Sequence, residues 1–335
     1  MSRPTWILIF SLMPLLSSCG PSQEKKEIIA YMDEVLKGPE RQVENYDFDP
    51  ESDILSRIKA PMDDFLAYVQ KADNREYTAY LPSEQELELI EASINLLPPL
   101  HQSIMKERVI EICFINDFLS SGWADWVLDK NGDIYCVLAL ARRTLESDMS
   151  TWLNAREQSC FFQDEPDVSL RIDIGTEYSG FLGILLHETT HVLDYIINVT
   201  PFVEPSTYYL AIYQKKQPAD TTPFTEGVWE GIFTPHAAYN FALRDSITYY
   251  GFDNGPKLDV SAAREVYEQL ATTPFVSLLA SRNWAQDLAE LVLFYHLTRK
   301  LNQPYAIHVV EAGELSHTYE PMDNPKVQER FSQME

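Results

Sequence analysis

The stretch Gly180-Phe181-Leu182-Gly183-Ile184-Leu185-Leu186-His187-Glu188-Thr189-Thr190-His191-Val192-Leu193-Asp194 constrains the fold more than any other part of the chain. It reads as one helix with apolar residues on nearly every side. Such a helix is covered all round, so it belongs at the centre of a core and not on a surface. Its two imidazoles, His187 and His191, are four residues apart and therefore share one helix face.

That spacing suits a metal ion. Two neutral imidazoles aimed at one point can take two corners of a tetrahedral zinc. Glu188 follows the first histidine and projects beside the metal, where it can take a proton from zinc-bound water and pass it to a leaving amine. The bland alternative is a pair of core histidines, which leaves several buried donors in need of partners.

The surrounding pattern predicts an α+β chain, mostly helical with a small mixed sheet. Residues 109–115 and 134–140 are runs of strand formers. Between them Asp129-Lys130-Asn131-Gly132-Asp133 reads as an Asn-Gly turn, because its glycine comes too early for an EF-hand calcium loop. Residues 168–174 alternate apolar and polar, as a half-buried strand does. Helical spacing runs through residues 54–69, interrupted at Pro61. Ser83 and Glu86 match a capping box opening a further helix. More helices are expected at 100–108, 235–249, 261–271 and 283–301.

The chain has 335 residues and a formal net charge of −25. So acidic a surface repels phosphate backbones and excludes nucleic acid as a partner. It suits a soluble protein and favours basic over acidic substrates. Arg3, the apolar run 6–16 and Leu16-Ser17-Ser18-Cys19 have the order of a secretory signal. The end of this signal resembles a bacterial lipobox. The resemblance implies a signal peptide over 1–18, lipidation of Cys19 and a membrane partner through that lipid. Gly20 in place of Asp points to the outer membrane, with the protein facing the periplasm or the cell surface. Residues 19–50 are polar and read as a tether with a marginal helix at 24–37. Residues 51–108 form a helical segment, and 109–335 the catalytic domain. Cys113, Cys136 and Cys160 allow at most one disulfide, or three buried thiols.

A strand followed by a His-Glu-x-x-His helix resembles the zincin metallopeptidases, in which an edge strand aligns a peptide beside the motif. Here that strand would be 168–174. Asp194, three residues after His191, would orient a liganding histidine from behind. The order of lipobox, helical segment and zincin-like core is similar to that of zinc-binding metallopeptidase lipoproteins. The spacing after His191 lacks the further ligands of metzincins, so the resemblance is gluzincin-like and implies a carboxylate from a later helix as third ligand.

The segment Gln286-Asp287-Leu288-Ala289-Glu290 resembles the gluzincin pattern, but glutamine stands where a zinc-binding glutamate is usual. Glu290 is the expected third ligand, with Asp287, Glu226 and Glu230 as rivals. Gln286 has a separate local role in a capping box with Asn283. An oxyanion donor is sought among Tyr208, Tyr209, Tyr249 and Tyr250. The resulting expectation is a lipid-anchored zinc metallopeptidase acting on peptide or protein substrates, with His187, His191 and Glu290 on zinc and Glu188 as base. Its rivals are an inactive zincin-like binding lipoprotein and a zinc hydrolase of cell-wall amides.

Overall fold

The computed structural model describes residues 22–164 and 167–334; the signal segment and Cys19 lie outside the described residues. The first half of the chain runs α1 (Gln23–Val35), α2 (Asp63–Asp73), β1 (Thr78–Tyr80), α3 (Glu84–Leu96), α4 (Pro99–Arg108), β2 (Val109–Asn116), β3 (Gly122–Leu128) and β4 (Ile134–Ala141). Then come α5 (Met149–Gln158), β5 (Phe161–Phe162), β6 (Val168–Asp173), α6 (Gly180–Ile197) and α7 (Pro205–Tyr213). The last part holds β7 (Trp229–Gly231), β8 (Thr234–Pro235), β9 (Leu258–Asp259), α8 (Ala263–Leu270), α9 (Trp284–Tyr295), β10 (Ala306–Glu311), β11 (Glu314–Tyr319) and α10 (Pro325–Gln328). Helices and small sheets together make an α+β protein.

The main sheet has the order β1-β2-β4-β3, with β2 and β4 parallel and both outer strands antiparallel to their neighbours. It is covered on both faces, which explains the unbroken apolar run of β2. Ile112, Phe114, Leu138 and Leu140 face the core built around α6. Ile110, Cys113, Ile115, Val137 and Ala139 face a second cluster containing Phe65 and Val69 of α2. The second sheet, β11-β10-β6, is antiparallel throughout.

Helix α6 is the centre of the molecule. Ser179 Oγ caps it by accepting from Leu182 N, and Asn198 ends it in a left-handed conformation. Every residue from Gly180 to Tyr195 is buried. It packs against α3, α4, α5, α9 and β3. Gly183 is what permits the close approach of α5: a Cβ there would lie 2.6 Å from both Met149 Sδ and a ring carbon of Trp152.

Several boundaries differ from the sequence expectation. The tether expected over 19–50 is folded from residue 23 onward. Ile28 and Met32 of α1 are buried in the main core, and Arg41 forms a buried ion pair with Asp125 at 2.7 Å. The expected division at 108/109 does not separate two units either, because β1 pairs with β2 and one core spans Ile28 to Val327. Residues 235–249 form short 3-10 turns at Ala237–Tyr239 and Arg244–Ser246 and no long helix. There the buried Arg244 guanidinium donates to the carbonyls of Ser281, Phe233 and Arg282, so tertiary bonds replace helical ones. Cys113, Cys136 and Cys160 are buried free thiols. The Ser83–Glu86 capping box and the turn at Asp129, which accepts from Asn131 N and Asp133 N, form as the sequence indicates.

Among the described residues no helix is long and apolar enough to cross a membrane.

Candidate functional site

The helical spacing of α6 brings His187 Nε2 and His191 Nε2 to 3.2 Å from each other, with the rings edge to face. Both side chains are nearly inaccessible, His187 at 4% and His191 at 7% exposed. His187 lines one wall of a cavity of about 300 Å³, and His191 lies behind it. Ser120, Ser121 and Gly122 at the start of β3 line it, together with Trp152, Glu188, Tyr249, Tyr250, Arg282 and Gln286.

Behind His187 lies a closed set of charges. His187 Nδ1 donates to Glu290 Oε1 at 2.9 Å. Arg156 donates to both oxygens of the same carboxylate, at 2.9 and 2.7 Å, and Ser277 Oγ donates to Oε2 at 2.7 Å. Burial alone would raise the Glu290 pKa, but the Arg156 guanidinium and the His187 N–H outweigh it and hold the carboxyl at about 2. Arg156 also pairs with Glu157, whose second oxygen accepts from Tyr267. Glu290 is therefore ionised, and His187 must carry its proton on Nδ1. In the neutral ring Nε2 is then a bare lone pair.

This placement departs from the expectation for Glu290. The residue was expected on the metal side, but it lies on the opposite edge of the His187 ring, and its oxygens are committed to Arg156, Ser277 and Nδ1. The rivals are elsewhere. Asp287 is buried in a two-pronged pair with Arg330 and accepts from Trp229 Nε1. Glu226 and Glu230 are exposed. Asp194 orients no histidine: its carboxylate accepts from Thr200 N and Thr200 Oγ1, closing the chain after α6. Burial raises its pKa to about 6 in spite of those bonds.

Glu188 is buried beside the imidazole pair, and its Oε2 accepts from Ala124 N of β3 at 2.9 Å. Burial lifts its pKa to about 6, with His187 and the Ala124 amide opposing. A carboxyl tuned upward in this way suits proton transfer near neutrality. Gly122 makes room for it, since a Cβ there would come within 2.8 Å of Glu188 Cγ and Oε1. The strand beside the motif is thus β3, an edge of the main sheet, and not 168–174. The free side of β6 is already taken by α5: Asn154 bonds both the N and the O of Ile172, and Gln158 donates to Leu170 O. Strand β3 lacks a clear sequence signal, because Asp125 interrupts the apolar run of Trp123, Ala124, Trp126 and Val127.

The donor set can be tested for a cation. Among the described residues no three His, Cys, Asp or Glu side chains converge on one point. The third group here is of another type. Gln286 of α9 places its amide Nε2 3.2 Å from His191 Nε2, while its Oε1 is buried without a partner. Turning the amide about its last bond exchanges the two atoms and presents the oxygen to the imidazoles.

No tautomer of His191 satisfies the cluster. With the proton on Nδ1, that N–H is buried with no acceptor and two Nε2 lone pairs oppose each other. With it on Nε2, the lone pair of Nδ1 is stranded. Burial and the neighbouring His187 hold the His191 pKa well below the usual imidazole value, so protonation is no remedy. Two nitrogens about 2.0–2.1 Å from a tetrahedral ion stand roughly 3.3 Å apart, close to the separation found. Glu188 and Glu290 flank the imidazole pair, and the Glu290 charge is matched by Arg156, so an ion at the imidazoles would meet the remaining carboxylate, Glu188. The residues present fit a metal with two imidazoles and one amide oxygen.

Of the tyrosines, Tyr249 and Tyr250 line the cavity, whereas Tyr208 and Tyr209 lie on α7 against Phe202 and Tyr31. Tyr250 OH shares a 2.9 Å hydrogen bond with Ser121 Oγ, which also accepts from Trp152 Nε1.

No protein-family model, no characterised protein and no solved structure matches this chain.

Proposed function

We propose that the chain is a zinc-dependent metallopeptidase of gluzincin-like, zincin type, anchored by lipid at Cys19 to the outer membrane and facing the periplasm or the cell surface. The observation that carries this reading is the meeting of the His187 and His191 Nε2 atoms at 3.2 Å, with His187 and Glu188 lining one cavity. In this reading His187, His191 and the Gln286 amide oxygen hold the ion. When bound, zinc supplies a Lewis acid that polarises a peptide carbonyl and makes a water easier to deprotonate.

The protein's own groups do the rest. Glu290 holds the His187 ring in one orientation and one tautomer. Glu188, fixed by Ala124 N, takes the proton of the attacking water and returns it to the leaving amine. The hydroxyl of Tyr250 is a hydrogen-bond donor at the cavity wall for the developing oxyanion.

A second reading, a zinc-binding lipoprotein without turnover, is favoured by Gln286, an uncharged residue in the place where a charged ligand is expected. The test is metal content and hydrolysis of casein, a peptide library and peptidoglycan fragments by the zinc-loaded protein and its Glu188→Gln variant. The variant should keep zinc and lose turnover by about 10²–10⁴-fold. Full activity in the variant would sink the mechanism. Zinc without cleavage in either protein would establish the binding reading, and hydrolysis of peptidoglycan fragments alone would reassign the bond to a cell-wall amide.

A further inference from the structure

Two arginines line the cavity that holds His187 and Glu188, and they differ in one respect. Arg156 is neutralised by Glu290 and Glu157. Arg282 has no carboxylate within ion-pair distance among the described residues. The one hydrogen bond that its side chain makes among the described residues runs from Nη1 to the Arg244 carbonyl at 2.9 Å. The other arginines of the interior have a carboxylate or several carbonyls as partners: Arg41 has Asp125, Arg330 has Asp287, Arg244 has Asp245 and three carbonyls, and Arg57 has carbonyls along two segments. A guanidinium carries five N–H donors in a fork that matches a carboxylate. In a chain with 51 acidic and 26 basic residues, a cation left without a partner in a half-buried position beside the site stands out.

Its place in the fold adds to this. Arg282 precedes Asn283, the N-cap of α9, so the positive end of that helix is at the same wall. Gln286, which reaches His191, is the third residue of that helix and lines the same cavity as Arg282. An extended peptide advances about 3.3–3.6 Å per residue. Arg282, His187 and Glu188 line one cavity of about 300 Å³, a space that about two residues of extended chain cross, so a negative group held at Arg282 falls within about two residues of a peptide bond presented to His187 and Glu188. The other carboxylate at the cavity rim, Asp253, is exposed and forms no ion pair with Arg282.

We infer that Arg282, with the N-terminal end of α9, is a carboxylate-binding subsite, and that the cavity takes peptides carrying a free C-terminal carboxylate or an acidic side chain within two residues of the bond presented to Glu188. This rests on the peptidase reading for the meaning of that bond, but the subsite itself is a binding statement. It reverses the preference for basic substrates that net charge alone suggests, because a local guanidinium and helix end act at contact distance while the surface charge is screened beyond about 8–10 Å.

The experiment uses the full zinc-loaded protein with Glu188→Gln, so that peptides bind without turnover, and fluorescence anisotropy as the readout. The probes are short apolar peptides in matched forms: free acid, C-terminal amide, and amide with one internal Glu or Gln. The free acid or the Glu peptide should bind at least about tenfold more tightly than its uncharged match, and which of the two does so identifies the source of the carboxylate. Adding Arg282→Gln should remove the difference, whereas Arg282→Lys should keep part of it. Equal binding of charged and uncharged forms, no binding of any of them up to millimolar concentration, or discrimination that survives Arg282→Gln in a folded protein overturns the subsite. If the Glu188→Gln protein discriminates through Arg282 while the zinc-loaded parent, with Glu188 in place, cleaves none of the peptides, the subsite stands and the peptidase reading falls. Cleavage without discrimination would do the reverse.

Discussion

Glu290 Oε1 lies 2.9 Å from His187 Nδ1, on the edge of the ring opposite the nitrogen that meets His191. This one relationship sets the tautomer of His187 and explains why a carboxylate four residues after Gln286 supports the site from behind. Replacing Glu290 by Gln removes the charge opposite Arg156 and loosens the ring. Zinc affinity should fall about 10–100-fold without vanishing. Arg156 keeps Glu157 but loses its two-pronged carboxylate, which should lower stability by about 1–3 kcal/mol. Chelator competition and thermal melts of the same samples check both. Unchanged affinity would show that Glu290 does not act through His187.

Gln286 carries the opposite prediction. With a glutamate there, a charged oxygen replaces a neutral one at the imidazole pair, and zinc should bind at least about tenfold more tightly, a gain of about 1.4 kcal/mol. Gln286→Ala should weaken binding while leaving the helix capped, since Asn283 Oδ1 bonds the backbone N of residue 286 and not its side chain. Equal affinity in all three proteins would place the third donor outside this residue.

Gly122 tests the contact between β3 and the motif helix. A methyl group there meets Glu188 Cγ and Oε1 and Ile184 Cγ1, each at 2.8 Å. Either the strand or the carboxylate must move. Gly122→Ala should cost about 1–3 kcal/mol of stability. It should also reduce hydrolysis by more than tenfold at full zinc occupancy, because His187 and His191 are untouched. A variant as active as the parent protein would mean that the position of Glu188 is not critical.

What could be read in the sequence follows from how local each feature is. The α6 helix, its buried setting and the shared face of His187 and His191 are properties of one contiguous segment, and the capping box at Ser83 and the turn at Asp129 are equally local. Strands β10 and β11 and the edge strand β3 depend on partners far away in the chain. The folding of residues 23–50 depends on Ile28, Met32 and Arg41 finding places in a core that no local pattern displays. The same holds within the site. Arg156 and Ser277 reach Glu290 from segments 134 and 13 residues away, so nothing near Glu290 in sequence shows that its oxygens are already taken.

Arg41 makes that last lesson measurable. Its guanidinium donates to Asp125 Oδ1 and to Trp126 O, both at 2.7 Å, and tethers the N-terminal segment to β3. Burial raises the Asp125 pKa and Arg41 works against it. Arg41→Ala leaves a fully buried carboxylate without its partner and should destabilise the protein by about 3–5 kcal/mol. Replacing both residues by apolar ones should recover most of that loss, because the penalty belongs to the unpaired charge. Denaturant unfolding of the single and double variants decides the matter. A loss below about 1 kcal/mol in the single variant would mean that residues 23–50 are held by other contacts.

Glu111 gives a pH dependence independent of the site. It is buried on β2, accepts from Met62 N at 3.3 Å and has Lys59 at 3.8 Å. Burial raises its pKa to about 7, with Lys59 and the Met62 amide opposing. The unfolded chain holds this proton only up to about pH 4.5, so between 4.5 and 7 the folded state binds more protons than the unfolded one. Stability contributed by this group is complete at low pH and falls as pH rises through that window, by up to about 3 kcal/mol at 1.36 kcal/mol per unit. Asp194 and Glu188, also raised, act in the same direction, so the informative quantity is the difference between the parent protein and Glu111→Gln. That difference should be small near pH 5 and should favour the glutamine variant increasingly up to about pH 8, as measured by urea unfolding at a series of pH values. A difference that does not change with pH would show that the Glu111 carboxyl ionises as easily folded as unfolded.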